Sequence, residues 1–144
     1  MLFRSLIAPT VIEAETLARE LSRGIENRVT LLTGELSKKK FLDAWNKAVT
    51  APEPVLIVGT PVVLSVPRAD IDAIVIERES ARAYRGIYRP FLDVRLAAEA
   101  LSRHSGARLI LADFPVRVET RYRVDIHEAE ELARSQVRPA GTGE

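Results

Sequence analysis

Residues 71–80, which read IDAIVIERES, decide the fold of this chain. Residues 74–76 are three consecutive β-branched apolar positions, which is typical of a parallel strand buried on both faces. Glu77, Arg78 and Glu79 follow at once, so the strand is expected to end in charged side chains. The stretch therefore predicts a buried parallel strand with an acid, a base and an acid at its carboxyl end.

The same arrangement recurs along the chain, where short apolar runs alternate with stretches of helical periodicity. Such alternation predicts an α/β fold with a mostly parallel sheet of about five strands, flanked by helices. The predicted strands are residues 2–8, 28–32, 54–58, 72–76 and 108–112. Helices are predicted over residues 11–23, from the cap Ser37 through residue 49, and over 91–104, with Gly106 as a terminator.

Each predicted helix is expected to bury one apolar face. The predicted faces are Ile12, Leu17, Ala18 and Leu21; Phe41, Leu42, Trp45 and Val49; and Leu92, Leu96, Ala100 and Leu101.

Length and composition limit the classes of protein to which the chain can belong. With 144 residues, 47% of them hydrophobic, it is long enough for one compact domain but too short for a two-domain enzyme. The absence of cysteine excludes disulfides, thiolate nucleophiles and cysteine-ligated zinc, and fits a reducing cytoplasm. No apolar run approaches the roughly 20 residues of a membrane helix. We expect one domain over residues 1–123 and a helical or disordered tail over 124–144, with 126–136 as its possible helix.

The segments after the predicted strands are the places to look for a site, because ligands of open parallel sheets lie beyond the carboxyl ends of the strands. They read APT at 8–10, GTP at 59–61, ERE at 77–79 and DFP at 113–115.

These segments resemble, in order and spacing, the motifs of the first helicase domain of the bacterial primosomal protein N-prime family. Further similar segments are TGELS at 33–37, FLDAW at 41–45, VLIVGTP at 55–61 and LILADFPVRVET at 109–120, so that the resemblance spans residues 3–123. Members of this family are superfamily 2 DNA helicases of replication restart. The resemblance implies a partial RecA-like domain of the P-loop NTPase type, ATP and Mg²⁺ as cofactors, and single-stranded or forked DNA and replication-restart proteins as partners.

The chain departs from the family at the catalytic positions. No GxxxxGK[ST] phosphate loop occurs, and the resemblance places that loop upstream of Met1. Glu77 and Arg78 stand where the family has the metal-holding aspartate and the water-orienting glutamate, and a guanidinium cannot accept a proton. We therefore expect a degenerate acidic motif, with Glu77 and Glu79 as its remaining carboxylates. His104 and His127 lack partners at ligand spacing, so no metal site is predicted from them.

DNA binding is expected to survive this loss. The resemblance implies contacts from two strand-end loops, and basic residues with interleaved aromatics can bind a phosphate chain and stack a base. The predicted DNA-binding residues are Pro9, Thr10, Lys38, Lys39, Lys40, Gly59, Thr60, Arg82, Tyr84 and Arg85.

Several alternatives remain open. The lysines can be a solvated helix face, and the tyrosines can pack on the domain. The chain can also be a fragment of an active helicase that uses Glu79, or a non-catalytic scaffold for replication or recombination proteins. If the phosphate-loop strand is absent, an apolar sheet face or edge is left exposed, which predicts marginal stability or self-association.

Overall fold

The computed structural model describes residues 3–132 of the chain. Its centre is a five-stranded, all-parallel sheet in the order β2-β3-β1-β4-β5. The strands are β1 (Phe3–Ile7), β2 (Val29–Leu32), β3 (Leu56–Gly59), β4 (Ile71–Glu77) and β5 (Arg108–Ala112). The predicted α/β class is confirmed, and the architecture is consistent with a partial RecA-like fold.

Four helices accompany the sheet: α1 (Val11–Leu21), α2 (Lys38–Thr50), α3 (Val94–Ser105) and α4 (Val118–Asp125). The helix α1 packs against β2 and β3, while α2 and α3 join the core on the opposite face of the sheet. Thr10 caps α1 through its side chain, and Gly106, the predicted terminator, ends α3 with a left-handed φ of 73°. No helix within residues 3–132 is long and apolar enough to cross a bilayer.

The predicted helix faces are only partly right. Ile12, Leu42 and Leu96 are among the exposed large side chains, at 77%, 48% and 65% exposure. Leu92 and Ala100 are exposed too, and Trp45 is half-buried against the core, stacked on Phe41 at 5.9 Å between ring centroids. The fully buried residue of α1, of α2 and of α3 is instead an alanine, because a small side chain lets the helix approach the sheet closely.

Two further sequence predictions need correction. Ser37 precedes α2, but its side chain makes no capping hydrogen bond. The possible helix over 126–136 is not formed in residues 126–132; the last described helix is α4, which begins at Val118. The remainder of the predicted tail, residues 133–144, lies outside the described residues.

Gly59, at the end of β3, has a packing role that the sequence did not reveal. A Cβ at this position would lie 1.8 Å from the carbonyl oxygen of Leu32 and 2.7 Å from Val63 Cγ2. Only glycine allows the carboxyl ends of β2 and β3 to approach this closely. Gly59 is also buried, so we assign it to the packing of the sheet edge.

Candidate nucleic-acid interface

The carboxyl ends of β1 and β4 form the natural binding crevice of this topology. The chain leaves β1 toward β2 and β3 on one side, and leaves β4 toward β5 on the other. The connections therefore diverge between β1 and β4, which is where open α/β sheets bind their ligands. All predicted site residues except those of α2 and β3 flank this point.

The side chain of Tyr84 occupies this crevice. Its hydroxyl lies 2.9 Å from the carbonyl oxygen of Ile7 and 2.6 Å from that of Glu77, and so joins the ends of β1 and β4. Burial raises the pKa of the Tyr84 phenol well above its usual value, which keeps the hydroxyl protonated as a donor. The side chain is 0% exposed, so Tyr84 is not available to stack on a base, and the alternative that it packs on the domain holds for this residue.

We expect Tyr84→Phe to lower the free energy of unfolding by about 1–2 kcal/mol, because two buried carbonyls lose their shared donor. Tyr88→Phe is the matched control, since Tyr88 is 80% exposed, and it should change stability negligibly. Urea denaturation measures both. Equal effects of the two substitutions would contradict the role of the Tyr84 hydroxyl.

Glu79 is a structural carboxylate. Its side chain is 0% exposed; one carboxylate oxygen accepts from the backbone N–H of Arg117 at 2.9 Å, and the other accepts from the Thr120 hydroxyl at 2.7 Å. Arg117 is the N-cap of α4 and makes no capping bond with its own side chain. Glu79 therefore supplies the cap of α4 from a distant loop, and the acid is not presented to solvent as a catalytic group.

Arg78 accounts for this inward turn. Its φ of 51° lies in the left-handed region, which is costly for a residue with a side chain. This conformation changes the direction of the backbone and turns Glu79 toward the carboxyl end of β5. There the Glu79 backbone N–H donates to the Ala112 carbonyl at 3.1 Å. In the strand-end tip, which we define as residues 77–79, the Arg78 side chain therefore points to solvent and the Glu79 side chain points into the protein.

The Arg78 guanidinium is paired with Glu13 of α1. Thr10 also donates to Glu13, at 2.7 Å between Oγ1 and Oε2. Burial raises the pKa of the Glu13 carboxyl, but these hydrogen bonds and the charge of Arg78 lower it more, so it stays below its usual range. A cation and an ionised acid therefore face each other across the β1–β4 crevice.

The acids at this edge do not form a metal site. The Glu77 carboxylate has no hydrogen-bond or ion-pair partner within residues 3–132, and the Glu79 carboxylate is engaged with α4. Asp113 accepts from the N–H groups of Ser80 and Phe114, each at 2.7 Å. Burial raises the pKa of the Asp113 carboxyl, but the Ser80 side chain, these two N–H groups and the charge of Arg78 lower it more, to below the usual range. Across the described part of the chain no three acidic, histidine or cysteine side chains could share an ion.

Arginines line a hollow of about 640 Å³ beside this edge. Two of them already have acidic partners. Arg95 forms a bidentate pair with Asp93, with both N–O distances below 3 Å, and Arg117 pairs with Glu119 at 2.6 Å. Arg82 and Arg85, both exposed, have no acidic partner among the described residues. The hollow therefore presents two free cations.

A short loop forms the wall of the hollow. The Gly86 N–H donates to the Leu92 carbonyl at 2.7 Å, which closes the loop at its base. Its tip exposes Ile87 by 77%, Tyr88 by 80% and Phe91 by 56%. Sequence reasoning missed Ile87 and Phe91 as lining residues, and only the run of aromatic and apolar residues between 84 and 92 could have indicated them.

The other predicted DNA-binding residues spread along the same edge. Lys38, Lys39 and Lys40 are all exposed at the start of α2, beside β2. Thr60 and Thr10 follow β3 and β1, whereas Pro9, like Gly59, is buried and offers no side-chain surface. From β2 to β4 the edge runs across three strand spacings, about 14 Å. The lysines and the arginine hollow therefore lie at separate ends of one edge.

Comparison with known proteins adds no relative: no protein-family model and no curated protein matches the sequence.

Proposed function

We propose that this chain is a RecA-like DNA-binding domain that does not hydrolyse ATP, similar to the first helicase domain of primosomal protein N-prime. It acts in the cytoplasm on single-stranded or forked DNA, together with replication-restart proteins. The arrangement of the strand-end tip is the observation that carries the proposal. Glu79 is buried under α4, Arg78 points outward, and the nearby Arg82 and Arg85 are free to meet phosphates.

The geometry favours a phosphate backbone as the ligand. Phosphate contacts are made by arginine and lysine side chains, hydroxyls and backbone N–H groups. Thr10, Thr60 and the three lysines place hydroxyls and cations along the carboxyl edge, and Arg82 and Arg85 continue them past β4. Since the formal net charge is only +1, binding depends on this local edge and not on a field of the whole molecule.

The residues present do not fit Mg²⁺ and ATP, the cofactors that the family resemblance implies. A magnesium site would use one or two carboxylates, yet Glu79 is engaged with α4 and the Arg78 cation lies beside Glu77. The sequence also lacks the glycine-lysine phosphate loop.

Fluorescence anisotropy of labelled single-stranded and forked oligonucleotides tests the proposal. We expect saturable binding at low salt that weakens steeply as salt is added, because cations bound to the phosphates are released on binding. Absence of binding to both substrates at low salt would refute the proposal.

Glu13 is expected to restrain DNA binding, because its carboxylate competes with a phosphate for Arg78. Exposed ion pairs contribute up to about 1 kcal/mol, so Glu13→Gln should raise the affinity for single-stranded DNA about three- to fivefold. Glu15→Gln removes an equal charge from an exposed position of the same helix and serves as the control. An equal rise in both variants would show a general charge effect and contradict the competition.

A second candidate function is a non-catalytic scaffold for replication or recombination proteins. The exposed side chains of Ile87, Tyr88 and Phe91 support it, since clustered apolar groups on a surface are typical of protein-binding sites. DNA titration separates the two candidates: a scaffold alone would show no salt-sensitive DNA binding. Clear DNA-stimulated ATP turnover, lost in Glu79→Gln but kept in Arg78→Ala, would instead indicate an active helicase fragment.

A further inference from the structure

Within the described residues 3–132, one face of the sheet has no helix over β4 and β5. Parallel sheets are normally covered on both faces. Here α3 covers β4 and β5 on the core side, whereas α1 covers only β2 and β3 on the other side. Within residues 3–132 no helix makes more than marginal contact with β4 or β5 on that second side. We call this surface, made by the residues of β1, β4 and β5 that point away from α3, the open face.

The open face has an apolar centre. Leu6 pairs in register with Val75, and Val75 pairs with Ile110, so the three side chains form one row across β1, β4 and β5. All three are partly exposed. An uncovered apolar row of this kind in a parallel sheet favours a partner.

Opposite charges lie at the two ends of this row. Glu77 stands two residues beyond Val75 at the carboxyl end, and Arg108 stands two residues before Ile110 at the amino end. Neither has an ion-pair partner in the described part of the chain. Glu77 is level with Ala112, four residues from Arg108 and thus about 13 Å away along the sheet, so the two cannot pair within one molecule.

The pattern is complementary to itself. Consider a two-fold axis that lies above Val75, parallel to the plane of the sheet and perpendicular to the strands. This axis would stack a second sheet on the open face and place the carboxyl end of each β4 above the amino end of the other. Glu77 of each copy would then face Ala73 of the other copy, whose side chain is small. Arg4 and Arg108 pair in register with Ala73 and would flank the incoming carboxylate on both sides. Arg4 is only loosely held by Asp72, at 3.9 Å.

We propose that the open face binds a second copy of this chain, as an antiparallel sheet-on-sheet dimer closed by reciprocal pairs between Glu77 and Arg108. A dimer with this symmetry presents the same patch from both subunits, as most homodimers do. Two such sheets would lie about 10 Å apart. The DNA-binding edge is not needed for this contact, so the dimer stands independently of the proposed function.

Sedimentation velocity of the whole chain over a wide concentration range tests the dimer. We expect a reversible monomer–dimer equilibrium. Glu77→Arg and Arg108→Glu should each weaken association by at least about tenfold, because each brings like charges together across the interface. A wild-type chain that stays monomeric at every concentration, or a dimer unaffected by both variants, would overturn the proposal.

Mixing the two variants gives the sharper result. In a mixed dimer the introduced arginine faces the introduced glutamate, and the native Glu77 of one subunit faces the native Arg108 of the other. The equimolar mixture should therefore associate about as tightly as the wild-type chain, while each variant alone associates at least about tenfold more weakly. This recovery also shows that both variants are folded. Glu15→Arg, at an exposed position of α1, is the control that should leave association unchanged. A mixture that fails to associate would contradict the proposed geometry of the dimer.

Discussion

Glu79→Ala is expected to lower the free energy of unfolding by about 3 kcal/mol, and to do so without any nucleotide or DNA present. The substitution leaves the Arg117 N–H and the Thr120 hydroxyl without their acceptor, and it removes a side chain that is fully buried. Losing a buried charged hydrogen-bond partner costs on this scale. Removal of the cap should also loosen α4, so its amide protons should exchange faster in hydrogen-exchange measurements.

The neighbouring acid provides the matched control. Glu77→Ala removes the same type of side chain two residues earlier, at a half-buried position without a hydrogen bond from residues 3–132, and should cost less than about 0.5 kcal/mol. Urea denaturation of both variants decides between a structural and a catalytic Glu79. A catalytic carboxylate would show the opposite pattern, with stability retained in Glu79→Ala.

Arg82→Ala combined with Arg85→Ala is expected to weaken binding to single-stranded DNA at least about tenfold at low salt. Both guanidinium groups line the hollow without an acidic partner among the described residues, so they are the arginines there most free to neutralise phosphates. Losing two phosphate contacts should also reduce the slope of log affinity against log salt by about 1.4. Anisotropy titrations at several salt concentrations measure both quantities.

A double variant at the other edge of the domain controls for net charge. Arg19→Ala with Arg23→Ala removes two exposed arginines at and just beyond the carboxyl end of α1, on the side of the sheet where the strands begin. Its affinity and salt slope should stay close to wild type. If both double variants weaken binding equally, the hollow is not the binding site.

The fold was largely predictable because strand signals are local. The run IVI of β4 and the run of β5 stand out as consecutive apolar positions, and Arg108–Ala112 was located to the residue. The terminator Gly106 was likewise visible, because it depends on the conformation of one residue.

The helix faces were less predictable, because contact with a sheet favours small side chains over large ones. In α3, Val94, Ala98 and Leu101 face the core, whereas the predicted Leu96 is 65% exposed. Hydrophobicity ranks leucine above alanine, but the closest approach between a helix and a sheet requires the alanine.

The direction of the site residues could not be predicted from the sequence. Alternation gives the side-chain direction within β4, but it stops at Arg78, whose left-handed φ of 51° reverses the order. The partners of Glu79 lie 38 and 41 residues further on, in a helix without any pattern that would indicate them. The sequence does not distinguish Tyr84 from Tyr88 either, yet Tyr84 is buried and Tyr88 is 80% exposed.

The most direct test of a DNA-binding domain without ATP chemistry is an anisotropy titration of single-stranded DNA at low salt and constant magnesium, carried out with and without ATP at matched ionic strength. We predict saturable binding with the same affinity under both conditions. No binding, or an affinity that changes when ATP is added at matched ionic strength, would contradict this function.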